Sequence, residues 1–233
     1  MQSLPPGYQA LVIGASGAIG SAMVHLLQND PRCSRVVGLS RTSETAAIDF
    51  ADPGSIERAA AHMRTLGPWH LILITTGLLH GPQGMPEKRL AQLNYAQMEA
   101  TFRVNTVGPA LAIAHFAPLL PTSSRSVLAV LSAKVGSIGD NRLGGWYSYR
   151  ASKAALNMLV KTASIEVART HPLGVLAALH PGTVNSALSA PFRGAEIGRA
   201  PATAATELLA VLDGLQPEQT GRFWAYDGQS LPW

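Results

Sequence analysis

The chain has little charge, a single cysteine and no long apolar run, and each scarcity excludes a class of protein. Charged residues make up 14% of the 233 residues and hydrophobic residues 47%, a composition typical of a folded core and not of a disordered chain. The single cysteine, Cys33, cannot form a disulfide within the chain. We therefore expect a reducing compartment, the cytoplasm, and an inert Cys33 beside the start of a strand.

Targeting, membrane and nucleic-acid signals are also missing. No arginine or lysine precedes Arg32, and glycines 14, 17 and 20 break the first apolar stretch, so we expect no signal peptide. No run of about 18 apolar residues exists to form a transmembrane helix. The net charge of +4 comes from scattered basic residues, which disfavours nucleic acid as a partner and is compatible with a small anionic ligand. We predict no metal site.

Short apolar runs alternate with helical patterns along the whole chain. The strand-like runs are 10–13, 36–39, 47–50, 71–74, 127–131, 175–179 and 222–226, and the helical patterns are 18–28, 53–66, 95–120, 147–170 and 203–215. Repeated β-α-β units predict one α/β domain over residues 1–233, a doubly wound parallel sheet of about seven strands with helices on both faces. In such sheets ligands bind beyond the carboxyl ends of the strands.

A glycine-rich turn, Gly14-Ala15-Ser16-Gly17-Ala18-Ile19-Gly20, joins the first strand to the first helix. Free backbone N–H groups and the helix dipole at such a turn favour a pyrophosphate, and the glycines allow its close approach. The turn therefore predicts cofactor-binding residues: Gly14, Ser16, Gly17, Ala18, Ile19 and Gly20. The alternative is an ordinary tight turn between a strand and a helix.

The end of the second strand indicates which nicotinamide cofactor is preferred. NAD-binding folds usually place an acid there to hold the ribose 2′-hydroxyl, whereas this chain has Ser40 and Arg41. A serine and a bidentate arginine suit a 2′-phosphate, so we favour NADP over NAD. The alternative for Arg41 is a solvated loop charge. Farther on, Asp49 could accept a hydrogen bond from the adenine amino group or serve as a loop acid; we assign Asp49 and Phe50 to the cofactor site.

Tyr149 and Lys153 lie four residues apart at the start of a predicted helix, so their side chains share a face. A phenol has a pKa near 10 in water, and an adjacent ammonium should lower that pKa by favouring phenolate. Such a tyrosine can pass a proton to a carbonyl oxygen as hydride arrives, or remove it in reverse. A pair standing alone would more simply be a helix surface with a stray lysine.

Four motifs stand in order along the chain: the turn Gly14–Gly20, Asn105 within Arg103-Val104-Asn105-Thr106, Tyr149-Arg150-Ala151-Ser152-Lys153, and Pro181-Gly182-Thr183-Val184-Asn185-Ser186. With them the chain resembles the short-chain dehydrogenases/reductases (SDR) over nearly its whole length. The segment 136–153 and the ending 226–233 look like the C-factor-like branch of that family. The resemblance implies a Rossmann-type domain, hydride transfer between NADP(H) and a carbonyl or alcohol substrate, and a homodimer or homotetramer.

The same resemblance implies a role for each matching residue. Tyr149 is the acid/base, Lys153 tunes it and holds the nicotinamide ribose, and Asn105 anchors a water in the proton relay. Gly77 allows close approach of the cofactor. The nicotinamide end is held by Pro181, Gly182, Val184 and Ser186.

The chain departs from the family pattern at three places. Ala18 occupies the position where the family pattern commonly has its second glycine. Ile74-Thr75-Thr76-Gly77 stands where the family usually has Asn-Asn-Ala-Gly. Ala133 occupies the position of the catalytic serine. Ser132 precedes it, but neighbours along a strand point to opposite faces, so we favour Ser137, in the following loop, as the replacement donor over Ser132.

The alternatives left open concern function. An NADP-binding sensor or signalling protein with little turnover is compatible with Ala133, whereas the set of Tyr149, Lys153 and Asn105 argues for an enzyme. A sugar-nucleotide epimerase is disfavoured because the chain is short for an added substrate domain. Residues 187–199 are interpreted as a substrate lid, and their sequence fixes no substrate class.

Overall fold

A seven-stranded sheet organises the chain in a computed structural model that describes residues 1–44 and 46–233. The strands are β1 (Tyr8–Ile13), β2 (Cys33–Leu39), β3 (Leu71–Ile74), β4 (Ser126–Leu131), β5 (Gly174–His180), β6 (Arg222–Ala225) and β7 (Ser230–Leu231). Their order is β2-β1-β3-β4-β5-β6-β7; the first six are parallel, and β7 pairs antiparallel with β6. This confirms the predicted doubly wound α/β sheet.

Helices cover both faces of the sheet. They are α1 (Ala18–Gln28), α2 (Pro53–Arg64), α3 (Tyr95–Phe102), α4 (Gly108–Phe116), α5 (Tyr147–Thr170), α6 (Gly194–Ile197) and α7 (Pro201–Gly214). One apolar core lies between the sheet and helices α2, α4 and α5, and a second lies between the sheet and helices α1 and α7. Because β3 and β4 are covered on both sides, every residue in them is buried, as their unbroken aliphatic sequences predict.

The prediction of a strand at 47–50 is wrong. The described structure has no strand there: the backbone N–H of Ile48 donates to Ser40 O (3.0 Å), while that of Asp49 donates to the Ser55 hydroxyl in α2 (2.8 Å). Ile48 and Phe50 are buried in the first core. The apolar pattern therefore reflects burial of a loop, and the seventh strand is instead β7 at the far edge of the sheet.

The helix predicted over 95–120 forms in four pieces. A π-helical turn, Arg103–Val107, separates α3 from α4, and a 3₁₀ turn, Ala117–Leu119, follows α4. Pro109, at the start of α4, has no N–H to donate to the carbonyl of Asn105, and a proline ring crowds the carbonyl four residues before it. The helix widens at that point, with Asn105 and Thr106 buried. Thr106 then bonds to Ser152 O of α5 (2.8 Å).

None of the helices in the described part of the chain is long and apolar enough to cross a membrane.

Candidate active site

A cavity of about 530 Å³ opens at the carboxyl ends of the parallel strands, where the topology predicts a ligand site. Predicted site residues that line it are Gly14, Ser16, Gly17, Ala18, Ile19, Ser40, Arg41, Asp49, Phe50, Gly77, Ser132, Tyr149, Lys153, Pro181 and Ser186. The predicted residues Gly20, Asn105, Gly182 and Val184 are not among those that line it. The cavity thus brings together motifs that are up to 172 residues apart, from Gly14 to Ser186.

Two glycines of the first turn are required by close backbone packing. Gly14 has φ +91°, and a Cβ there would lie 2.7 Å from Thr75 Oγ1; a Cβ on Gly20 would lie 2.3 Å from Gly14 O. Ala18 is instead the first residue of α1 and sits on the cavity wall. An alanine therefore fits at the position where the family pattern often has glycine.

Thr75 and Thr76 replace the asparagines of the family pattern in different ways. The Thr75 hydroxyl donates to Ile13 O (2.9 Å) and lies 3.2 Å from Gly14 O, so it ties the glycine turn to the end of β3. The Thr76 hydroxyl is buried at the cavity wall without a hydrogen-bond partner among the described residues. A buried polar group of this kind needs a partner, and a polar ligand in the cavity would supply one.

A dinucleotide fits the remaining features of this wall. No side chain caps the N-terminus of α1, and its first turn has no acidic residue, so its free N–H groups face the cavity with a favourable dipole for an anion. Gly77 leaves room beside Asn105 and Lys153: a Cβ there would lie 3.9 Å from both Asn105 Oδ1 and Lys153 Nζ.

The end of β2 offers hydroxyls and a cation instead of a carboxylate. Ser40 Oγ lies 3.2 Å from Thr42 Oγ1 and 3.3 Å from Ser43 Oγ. Arg41 lines the cavity and forms no salt bridge with any described residue. Asp49 lies on the same wall, where its Oδ1 accepts from Ala51 N (2.9 Å). This end of the cavity suits a phosphate better than a free ribose diol.

Tyr149 and Lys153 lie in the first two turns of α5 and are 8% and 2% exposed. Lys153 Nζ donates to Leu131 O at the end of β4 (2.8 Å). Burial raises the pKa of Tyr149 to about 12 and lowers the pKa of Lys153 to about 7. The expectation that the ammonium lowers the tyrosine pKa is therefore wrong for the protein alone, because desolvation disfavours both charged forms.

The Asn105 amide holds the segment that follows β3. Its Oδ1 accepts from Leu78 N (2.7 Å), and its Nδ2 donates to Leu78 O (2.7 Å) and to Ser152 Oγ (3.1 Å). These bonds join the π turn to the segment after β3 and to α5. The side chain thus fixes the floor of the cavity, and the anchoring of a water by Asn105 stays a prediction.

The three candidate positions for a serine donor make different contacts in the structure. Ala133 packs in one apolar cluster with Tyr149 and Leu79. Ser132 lines the cavity, but its hydroxyl is engaged, since it donates to Asn157 Oδ1 (2.6 Å).

Ser137 does not reach the site. Its hydroxyl accepts from Asp140 N (3.1 Å) and donates to Trp233 O (3.3 Å), and it is absent from the cavity wall. The 3₁₀ turn Lys134–Gly136 directs the chain toward the last residue, Trp233, whose backbone engages the hydroxyl. The expectation that the loop returns Ser137 to Tyr149 is not met.

The loop after β5 is held at both ends. Gly182 has φ +71°, and a Cβ there would lie 2.9 Å from the Tyr226 ring. Arg199 closes the loop with two backbone hydrogen bonds of 2.9 Å. Asn185 N donates to Arg199 O, and Arg199 N donates to Thr183 O. Ser189 Oγ bonds to Val184 O (2.5 Å). These bonds place Ser186 and the following residues along the cavity.

An apolar wall beside Tyr149 was missed by sequence reasoning. Phe192 of the predicted lid lies 4.9 Å from the Trp146 ring and 6.1 Å from the His80 ring, and Trp146 meets Tyr149 edge-on at 6.1 Å, all between centroids. The wall is completed by Leu79, Ala133, Val135 and Leu188. These residues lie in loops without periodicity, so no sequence signal connects them.

No cluster of three or more His, Cys, Asp or Glu side chains suited to a metal ion occurs among residues 1–44 and 46–233.

The chain is similar in sequence and in fold to several known proteins. The family model described as short chain dehydrogenase matches residues 9–196. The chain is 37% identical to C-signal of Myxococcus xanthus over 146 residues, which are 62% of this chain and 83% of that protein. It is 32% identical over 186 residues to 1-hydroxy-2-glutathionyl-2-methyl-3-butene dehydrogenase of Rhodococcus sp. (strain AD45), covering 80% of this chain and 78% of that protein. The solved NADPH-bound carbonyl reductase from chicken fatty liver superposes with a TM-score of 0.81 at 24% identity, over 99% of this chain and 100% of that one.

The buried Lys153 should make the unliganded protein more stable as pH rises. Its pKa of about 7 lies below the ordinary 10.5, so between these values the unfolded state binds more protons, and the free energy of unfolding increases with pH. At pH 6 we expect Lys153→Met to have a larger free energy of unfolding than wild type. This difference should shrink by about 2–3 kcal/mol by pH 9, because the wild-type free energy of unfolding rises by about 1.4 kcal/mol per pH unit above pH 7. Urea unfolding of both proteins at each pH measures the difference.

Lys161→Met is the matched control, since Lys161 is exposed on the same helix. Its stability difference from wild type should not vary over this pH range. A constant difference for Lys153→Met as well would show that Lys153 titrates normally.

Proposed function

Because the chain belongs to the short-chain dehydrogenase family of oxidoreductases, we propose that it is an NADP(H)-dependent carbonyl reductase or alcohol dehydrogenase with Tyr149 as its acid/base. The observation that carries the proposal is the position of a buried phenol in the same cavity as the glycine turn. A protein that only binds a dinucleotide has no use for that phenol.

The burial of Tyr149 supports its role as the proton donor when a carbonyl compound is reduced. NADPH, when bound, supplies the hydride that adds to the carbonyl carbon. Tyr149 keeps its proton at neutral pH, since burial raises its pKa to about 12, and it donates that proton to the carbonyl oxygen as the alcohol forms. In the reverse reaction the tyrosine oxygen accepts the alcohol proton.

Lys153 and Asn105 support the proton donor. Lys153 Nζ is fixed by Leu131 O beside Gly77, where it would hold the nicotinamide ribose and stabilise negative charge as it develops on the phenol oxygen. Asn105, in the π turn, would anchor the water that returns a proton to the site. Pro181, Gly182, Val184 and Ser186 would orient the nicotinamide ring.

The substrate side of the cavity favours a carbonyl compound with an apolar group. Leu79, Trp146 and Phe192 lie beside Tyr149, and burial of an apolar substituent there would contribute roughly 25 cal/mol per Å². The two lid arginines do not offer a free cation to an acidic substrate: Arg193 pairs with Glu196 (2.7 Å), and Arg199 with Glu207. We propose residues 187–199 as the lid over this group, closed against Trp146 by Phe192.

The catalytic proposal is tested with NADPH and a panel of aryl ketones, aliphatic aldehydes and 2-oxo acids. We expect turnover of aryl ketones above that of 2-oxo acids of equal size. On the best substrate, Tyr149→Phe should lower kcat by roughly 10² or more and leave NADPH affinity within about two-fold, because only the proton donor is lost. A near wild-type kcat in Tyr149→Phe would refute the assignment.

Arg41 should set the cofactor preference. Its position beside Ser40, with no carboxylate at residues 40–43, favours a 2′-phosphate, and the NADPH in the similar carbonyl reductase supports this choice. We expect Arg41→Ala to weaken NADPH about 10-fold or more, equivalent to about 1.4 kcal/mol, and to leave NADH almost unchanged. Calorimetric titration with both cofactors measures this.

Arg222→Ala, at an exposed arginine on β6, serves as the control and should alter neither affinity. Tighter binding of NADH than NADPH by the wild-type protein would contradict the proposed preference, with NAD then the working cofactor.

We propose a symmetric homodimer or homotetramer. Met158 and Ile165 on α5 and Val107 in the π turn are 66%, 52% and 49% exposed, and a closed symmetric assembly, the norm for soluble oligomers, would cover them. Light scattering at micromolar concentration should therefore give a multiple of 24.5 kDa. A mass of one chain would rule the proposal out.

One second function has an observation in its favour. Ala133 presents a methyl group to Tyr149 instead of a hydroxyl, and one relative is named C-signal. A sensor or signalling protein that binds NADP(H) with little turnover would show cofactor affinity and no reduction of any substrate in the panel.

A further inference from the structure

Helix α5 carries the proposed acid/base but has no cap of its own. Its N-cap residue, Trp146, has φ +52° and accepts no capping hydrogen bond with its side chain, and the first turn contains no acidic residue. A helix begins with N–H groups that have no partner within the helix, and buried ones must find acceptors elsewhere.

Glu87 supplies those acceptors from a loop 61 residues earlier in the chain. Its carboxylate accepts from Ser148 N through Oε2 (3.2 Å) and from the Ser148 hydroxyl through Oε1. Its backbone carbonyl accepts from Trp146 N (2.5 Å). Glu87 is only 2% exposed and forms no salt bridge within residues 1–44 and 46–233.

Burial of a carboxylate without a cation is unfavourable unless hydrogen bonds compensate. Here the compensation comes from two Ser148 donors and from the positive end of the α5 dipole. The three hydrogen bonds fix the residue immediately before Tyr149 and the aromatic residue three positions before it. Trp146 in turn meets Tyr149 edge-on and Phe192 of the lid.

We propose that Glu87 is a positioning residue, whose buried carboxylate caps α5 from a distant loop and thereby fixes the Tyr149 phenol and the Trp146 ring against the substrate. This inference rests on the proposed role of Tyr149. Glu87 acts through Ser148 and Trp146 and does not itself touch the reacting atoms. Misplacement of a reacting group by about 1 Å costs on the order of 10²-fold in rate, so loss of the cap has a catalytic effect beyond its effect on stability.

The test compares Glu87→Ala, Glu87→Asp and Glu87→Gln. Alanine removes both carboxylate hydrogen bonds and keeps the backbone one to Trp146 N. Aspartate withdraws the carboxylate by one methylene, and glutamine keeps the length and one acceptor oxygen. We expect kcat to fall about 10-fold or more in Glu87→Ala and about 5-fold in Glu87→Asp, and to stay within about 3-fold of wild type in Glu87→Gln. The Kd for NADPH should stay within about two-fold throughout, since the glycine turn and Arg41 are untouched.

Asp213→Asn is the matched control, because Asp213 also accepts two backbone N–H groups, from Gln2 (2.8 Å) and Ser3 (2.7 Å), at a site remote from the cavity. It should lower stability without changing kcat. If Glu87→Ala behaves in the same way, with stability lost and kcat within two-fold of wild type, the positioning role is overturned. If Glu87→Ala does not fold, a wild-type kcat in Glu87→Asp overturns it equally.

A second measurement separates this inference from the catalytic proposal. Amide hydrogen exchange of residues 147–150, measured without substrate, should be about 10-fold faster in Glu87→Asp than in wild type or Asp213→Asn. Unchanged exchange overturns the cap, whatever the activity. If the wild-type protein reduces no carbonyl compound while exchange accelerates as expected, the catalytic proposal fails and the cap at the start of α5 stands.

Discussion

The bond from Lys153 Nζ to Leu131 O (2.8 Å) is the contact around which the site is arranged. It fixes the beginning of α5 to the end of β4, and it does so with an amine that is almost fully buried. An ammonium without water must keep close to an acceptor, so the helix has little freedom to slide along the sheet. Tyr149 lies one turn earlier on the same helix, so its position is fixed as well. Burial raises the pKa of Tyr149 and lowers the pKa of Lys153. The same low dielectric that disfavours both charged forms would strengthen the interaction of this pair with charge that develops on a substrate.

A second constraint comes from the break in the helical segment that faces α5. Pro109 cannot donate to the carbonyl of Asn105, and the chain widens into a π turn there. That turn lets Asn105 reach Leu78 in the segment after β3, while Thr106 bonds to the backbone of α5. Side-chain amide and hydroxyl bonds thus join the π turn, this segment and α5 beneath the cavity, and satisfied polar networks of this kind make a site rigid.

The cavity wall at the glycine turn and the surroundings of Tyr149 differ in chemistry. At the wall, free N–H groups of α1, the Thr76 hydroxyl without a partner among the described residues and Arg41 suit an anionic dinucleotide. Tyr149 instead belongs to an apolar cluster with Trp146, Phe192 and Ala133, which lie outside the residues that line the cavity. Exclusion of water by this cluster would strengthen a hydrogen bond from Tyr149 to a carbonyl oxygen.

The sequence by itself determined the sheet, the glycine turn and the pairing of Tyr149 with Lys153. These features depend on local spacing: aliphatic runs of strand length, a φ that only glycine adopts easily, and two residues one helical turn apart. Tertiary structure alone decided the rest. The run at 47–50 is apolar because a loop is buried, not because a strand forms, and Ser137 is turned away by its bond to Trp233 at the end of the chain. Glu87 and the residues of the apolar wall lie in loops, and these residues come into contact only after the strands and helices have packed. No periodic pattern in the sequence therefore predicts their contacts.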